Sequence, residues 1–230
     1  HFKHELNKNI VQSDKIVLIP HGSSLPKVIN ILNENGVKVN KRYIKIYSRL
    51  RKFSGKIGSG EYLLKRNFST IDIINELCEG KNVTYKITFP EGFNLFEIAN
   101  LLQQYGVIDK ETFETKCFDI DFLTSLKINN ISCEGYLFPE TYNFFRGMSV
   151  EQIIKIMVEN FWKNISPQYL ERAKELRFTL NQLITFASIV EKESGIKEER
   201  WLISSVFHNR LKKRMKFQSD PTVIYGIDNY

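Results

Sequence analysis

A stretch of sequence that occurs twice limits the fold of this chain more than any overall property does. The segments IPHGSSLPKVINILNENGV (19–37) and FPEGFNLFEIANLLQQYGV (89–107) align without gaps at a constant offset. Pro20 matches Pro90, Gly22 matches Gly92, Leu25 matches Leu95, Leu32 matches Leu102 and Gly36 matches Gly106. Each copy reads as a short strand, a Pro-x-Gly turn and an amphipathic helix stopped by glycine. Two copies are too few for a solenoid. They predict a repeated β-turn-helix unit, one in each of two neighbouring domains.

The intervening sequence supports an α+β fold. RYIKIYSRLR has helical spacing, GSGEYLLK reads as a turn and strand, and STIDIINEL carries a serine cap before a helix. NVTYKITF alternates polar and apolar residues as a half-buried strand does. Residues 1–85 are therefore expected to form a small α+β module. After Asp109 the pattern becomes mainly helical, which sets a second domain at 86–230. Ser149-x-x-Gln152 and Thr179-x-x-Gln182 are capping-box patterns that start helices at VEQIIKIMVENFW and LNQLITFASIVEKE. A further helix is expected over KEERWLISSVFHNRLKKR, after the Ser194-Gly195 break.

With 230 residues, 42% of them hydrophobic and 13% aromatic, the chain can bury a core in each domain. Lysine and arginine outnumber the acids 33 to 26, a net charge of +7. Such a surplus attracts nucleic acid, anionic lipid or a carboxylate-bearing polymer. The basic residues are dispersed apart from 41–56 and 210–216, and no nucleic-acid motif accompanies them, so a nucleic-acid partner is not expected. Cys78, Cys117 and Cys133 lack metal-ligand spacing, so no metal and no cofactor are expected. No apolar run is long enough to span a membrane.

The chemistry is concentrated in ASIVEKESG (187–195). On a helical wheel, Asn181, Thr185, Ser188 and Lys192 form a polar stripe, while Leu180, Leu183, Ile184, Phe186, Ala187 and Val190 fill most of the rest. Glu191 falls on the apolar side, in line with Leu180, Ile184 and Ala187, whereas Glu193 lies at its margin beside Gln182. A carboxyl surrounded by hydrocarbon stays protonated nearer neutrality, as a general acid for a glycosidic oxygen requires. The competing expectation is a buried salt bridge, with inward-pointing Arg210 as the partner. Two other stretches interleave aromatic and hydrogen-bonding side chains, as a sugar ring demands. CEGYLFPETYNF (133–144) brings Glu134, Tyr136, Glu140, Thr141 and Tyr142. FQSDPTVIYG (217–226), expected as a proline-containing loop, brings Gln218, Asp220, Thr222 and Tyr225. Ordinary loops with buried tyrosines would have the same composition.

EGYLFPETY, ASIVEKES, HNRL and SDPTVIYG, in that order, resemble the endolytic murein transglycosylase, or YceG-like, family. The resemblance covers nearly the whole chain. It implies a LysM-like module at 1–85, followed by a mainly helical domain related to lysozyme and lytic transglycosylases at 86–230, cut short at its C-terminal end. Glu191 takes the place of the family's catalytic acid. Tyr136, Glu140, Thr141, Tyr142, Asn209, Arg210, Gln218, Asp220, Thr222 and Tyr225 become candidates for holding the glycan. The implied reaction is non-hydrolytic cleavage between N-acetylmuramic acid and N-acetylglucosamine, leaving 1,6-anhydro ends. A muramidase using Asp220 or Glu140 as second carboxylate, or a non-catalytic wall-binding scaffold, are the alternatives. The implied partners are peptidoglycan strands and peptidoglycan synthases. The implied location is the outer side of the cytoplasmic membrane, held there by an N-terminal anchor outside this sequence.

Overall fold

In the computed structural model, which describes residues 2–51 and 57–227, the chain forms two compact units. One comprises His1–Ile87, Leu102–Asp109 and Thr141–Ile153; the other comprises Thr88–Leu101, Lys110–Glu140 and Ile154–Tyr230. Residues 102–109 and 141–153 thus lie with the N-terminal unit. The end of the basic stretch 41–56 is outside the described residues.

The first unit is built on an antiparallel pair, β1 (Lys15–Ile19) and β2 (Gly60–Leu64), in register from Lys15 opposite Leu64 to Ile19 opposite Gly60. Period-two alternation turns Val17 and Ile19 inward, each 1% exposed, while Ile16 and Leu18 face outward. Three helices follow the predicted pattern: α2 (Leu25–Glu34), α3 (Lys41–Arg51) and α4 (Thr70–Glu79), after a short α1 (Phe2–Asn7). Val28, Ile29 and Leu32 of α2 and Ile73, Ile74 and Leu77 of α4 join Val17, Ile19, Tyr62 and Leu64 in one core cluster. Each such side chain contributes about 1.5–3 kcal/mol by leaving water. Ser69 caps α4 with a reciprocal box to Asp72, as its sequence predicts. A second two-stranded sheet joins β3 (Tyr85–Thr88) to β4 (Thr141–Phe144).

The sequence echo is also an echo in geometry. Its second copy runs from β3 through the turn into α5 (Leu95–Gln104). Gly22 and Gly92 occupy matching positive-φ positions, at 71° and 82°. Gly36 and Gly106 end their helices at φ 76° and 66°. Val37 donates to the Leu32 carbonyl at 2.9 Å and Val107 to Leu102 at 3.0 Å, the long-reach bond of a Schellman cap. Leucine at the start of that bond and buried valine just past the glycine are what both copies supply.

The second unit is helical: α6 (Lys110–Cys117), α7 (Ile120–Ser125), α8 (Val150–Asn164, from Ile154 onward), α9 (Pro167–Glu175), α10 (Leu180–Glu193), α11 (Arg200–Lys212) and α12 (Asp220–Ile227). Both predicted capping boxes form, Ser149 with Gln152 and Thr179 with Gln182. The expectation of a loop over 217–226 is corrected: only 217–219 are irregular, and α12 begins at Asp220. Pro221 sits in the first helical turn, where its missing N–H costs nothing. Phe186 and Val190 of α10 pack with Phe207 of α11 as a small core, flanked by Phe178, Ile189, Ile203 and Phe217. Among the described residues no helix is long and apolar enough to cross a membrane.

Candidate active site

Helix α10 carries the two acids, and packing separates them differently from the wheel. The covered line is Phe186–Val190, both 8% exposed. Along the other line, Ile184 packs so tightly under Gly135 (φ 80°) that a Cβ there would collide with its Cγ2. One turn later that cover ends, and Ala187 is exposed. Glu191 therefore does not stand among hydrocarbon: its side chain keeps 30% of its exposure and is ion-paired. A wheel orders side chains around an axis but cannot tell which side has a neighbour.

The partner is also a correction. Arg200, at the start of α11, donates from Nη2 to Glu191 Oε1 at 2.6 Å. The same nitrogen lies 3.7 Å from Glu91 Oε2, and Lys197 Nζ lies 3.9 Å from that oxygen. Arg200 Nε is buried without a hydrogen-bond partner. Gly92, next to Glu91, stands in van der Waals range of Glu191: a Cβ there would lie 4.0 Å from its Cγ. The turn of the second echo copy thus delivers an acid to the site, where the first copy has His21. Arg210 serves elsewhere: its Nη1 donates to the Phe217 carbonyl, to that of Lys216 at 3.4 Å and to Gln218 Oε1 at 3.3 Å. It shapes the 213–219 connection rather than pairing with Glu191. Glu193 Oε1 accepts a hydrogen bond from the hydroxyl of buried Ser219, which ties the connection before α12 to α10.

The carboxyl that burial does perturb is Glu134. Desolvation raises its pKa; the Leu95 N–H that it accepts at 2.9 Å opposes this, Glu97 adds to it and Lys192 opposes it. Leu95 begins α5, whose end is closed by a reciprocal box between Asn94 and Glu97, with both bonds at 2.8 Å. The Asn-x-x-Glu spacing is the local signal that marks this helix start in the sequence. Glu134 therefore stands where the N-terminal N–H groups of α5 favour negative charge.

The remaining sequence-derived candidates fall on several elements. Tyr136 is buried, its ring 5.0 Å from Phe161 and its hydroxyl bonded to Asn181 of α10, so it braces that helix from inside. Glu140 is exposed, and its backbone carbonyl holds Phe89 at 3.0 Å. Thr141 and Tyr142 belong to β4 of the first unit, with Tyr142 stacked on Phe144. Asn209 is exposed on α11. Gln218, at φ 53°, and Asp220 are exposed at the entry to α12. The Thr222 hydroxyl bonds back to the Ser219 carbonyl at 2.7 Å, and Tyr225 is 52% exposed. Sequence reasoning misses Glu91, which lies in a turn, and Lys197 and Arg200, since the helix expected from Lys197 begins only at Arg200, after a 3-10 segment over Lys197–Glu199. Among the described residues no cluster of His, Cys, Asp or Glu has the makings of a metal site.

Comparison with known proteins adds to this geometry. The YceG-like family model matches residues 17–230. The chain is 33% identical over 228 residues to the endolytic murein transglycosylase of Bacillus subtilis strain 168, covering 92% of this chain and 63% of that protein. It is 31% identical over 234 residues to that of Streptococcus pneumoniae serotype 2 strain D39, covering 90% and 42%. The chain thus spans about half the length of these relatives. A crystal structure of a yceG-like protein from Listeria monocytogenes superposes with a TM-score of 0.59 at 31% identity, covering 95% of this chain and 77% of that one.

Proposed function

The chain belongs to the YceG-like family, and on that premise we propose that it is a lytic transglycosylase of peptidoglycan with Glu191 as its acid. The observation that carries the proposal is the setting of Glu191: a carboxylate on a rigid helix, half-open to solvent beside exposed Ala187, held by one charge-assisted bond of 2.6 Å. Relatives bearing the name endolytic murein transglycosylase support the substrate class.

Glu191 protonates the oxygen leaving the muramic C1, then as carboxylate takes the proton of the muramic C6 hydroxyl, which closes on C1. Water is not consumed and a 1,6-anhydro end results. The substrate's acetamido group stabilises C1, so a second carboxylate is not required. The internal hydroxyl outcompetes water because it is already held beside C1. Arg200 holds Oε1 of Glu191, which leaves Oε2 to face the glycosidic oxygen, and Glu91 offers the guanidinium a second carboxylate. Asn209, Gln218, Asp220, Thr222 and Tyr225 are the glycan-holding candidates of the second unit, and Glu134 stands near α10 through Lys192. A LysM-like role for residues 1–85, a membrane anchor preceding this sequence and contact with peptidoglycan synthases complete the proposal.

The test is a digest of purified glycan strands, followed by mass spectrometry of the released muropeptides. Wild type is expected to release products lighter by one water than hydrolysis products. Glu191→Gln is expected to lose at least about a hundredfold in rate, the scale of a missing general acid, while still binding strands. Reducing ends would make the enzyme a muramidase, and undiminished cleavage by Glu191→Gln would remove that residue from the chemistry. In the same digest Glu91→Gln is expected to lower kcat more than it changes KM.

A further inference from the structure

Two thiols of the second unit take no part in the chemistry above. Cys117, the last residue of α6, and Cys133 are both fully buried. The backbone N–H of Cys133 donates to the Cys117 carbonyl at 2.9 Å. A direct backbone hydrogen bond keeps the two residues adjacent, as the short Cα span of a disulfide, roughly 4.4–6.8 Å, requires. Interaction with the neighbouring Cys133 thiol and burial, with Glu134 and Glu114 nearby, push the Cys117 thiol up, so the folded, reduced pair is chemically quiet.

We propose that Cys117 and Cys133 are a disulfide site, closed while the chain folds in an oxidising compartment. Two S–H bonds break and one S–S bond forms. The two electrons and two protons pass to a disulfide oxidant, a thiol–disulfide oxidoreductase or a low-molecular-weight disulfide, which leaves as two thiols. Closure during folding avoids the access problem that burial creates, and the same burial afterwards shields the bond from reductant. The location proposed above supplies the oxidising setting, but the pairing rests on the geometry of these two residues and not on lytic activity.

The bond would close the segment 118–132, which contains α7, and so limit the unfolded chain. It would also anchor the start of 133–140. From there Glu134 reaches the Leu95 N–H and Tyr136 reaches Asn181 on α10. In the oxidised enzyme α10 is therefore braced by a covalently held segment.

The experiment refolds the full chain with oxidised glutathione, blocks remaining thiols, digests without reductant and maps peptides by mass spectrometry. The expected result is one linked pair joining Cys117 to Cys133, lighter by two hydrogens, with Cys78 of the first unit carrying the blocking group. Oxidised protein should melt about 5–10 °C above the same protein in reductant. That difference should vanish in Cys117→Ser and in Cys133→Ser. Blocking groups on both residues, a bond to Cys78, or a redox-dependent melting shift that survives in the double alanine variant would each overturn the proposal. If the single variants do not fold, the peptide map of the wild type decides alone. A failed digest of glycan strands leaves this result untouched, and a failed pairing leaves the lytic assignment untouched.

Discussion

At the scale of single residues, the site turns on which carboxyl lost its water. The apolar line through Leu180, Ile184 and Ala187 points to Glu191, but burial falls on Glu134. Glu191 instead shares Arg200 with Glu91. This difference has a measurable consequence in the stability of the fold. A carboxyl with its pKa raised on folding binds protons more readily in the native state than in the unfolded state. Stability therefore falls as pH rises from the ordinary glutamate range, about 4.3, through the raised value, and stays lower above it. Glu134→Gln cannot ionise, so that part of the decline should disappear. Thermal melts of wild type and Glu134→Gln from acid to neutral pH would check this. Parallel curves for the two proteins would mean that Glu134 is not the desolvated acid.

At the scale of elements, the two copies of the β-turn-helix unit share backbone geometry but not surroundings. A Cβ added to Gly22 (φ 71°) would meet nothing within 4 Å, whereas at Gly106 (φ 66°) it would lie 3.1 Å from Arg146 Nε. Arg146 is not free to yield cheaply. It pairs with Glu61 at 3.2 Å, donates to the Tyr105 carbonyl at 3.1 Å and lies 4.7 Å over the Tyr85 ring. Gly22→Ala should cost about 1–2 kcal/mol, the left-handed penalty of an L residue. Gly106→Ala should cost more, since the arginine must also shift. Denaturant titrations of the two variants would compare them, and equal losses would show that Arg146 moves without resistance. These elements are legible in the sequence because caps, turns and helix stops are settled within a few residues. Ser69, Ser149 and Thr179 are recognisable as caps on the same local ground. The helix at 220–227 escapes a local reading because Pro221 resembles a breaker, although the first turn tolerates it.

At the scale of the whole molecule, the +7 charge has a partner once the wall reading is adopted. Peptide stems of peptidoglycan carry carboxylates, and a dispersed basic surface attracts them through screened forces. Binding of Glu191→Gln to isolated sacculi should weaken as salt rises from about 50 mM to about 300 mM, where the Debye length shrinks markedly. Salt-independent retention, measured by pelleting, would assign binding to uncharged sugar contacts instead. The two units also show where sequence order misleads. Residues 102–109 and 141–153 join the N-terminal unit, though they follow β2, the last strand of its first sheet, by many residues.

By itself the sequence left α1, α6, α7, α9 and β4 unmarked, but determined β1 to β3, the helices α2 to α5, α8, α10 and α11, the duplicated unit, the capping boxes and the place of Glu191 on α10. Those features depend on bonds between neighbours three to five residues apart and on side-chain period. It also carried the four ordered motifs by which the family is recognised. Only the tertiary structure decided that Arg200 and not Arg210 meets Glu191, that Glu91 joins them from the echo turn, and that Glu134 is the desolvated acid. Desolvation and ion pairing are set by whatever lies across the gap from a side chain. That neighbour comes from another element, 9 residues away for Arg200 and far more for Glu91, and no helical or strand period encodes it.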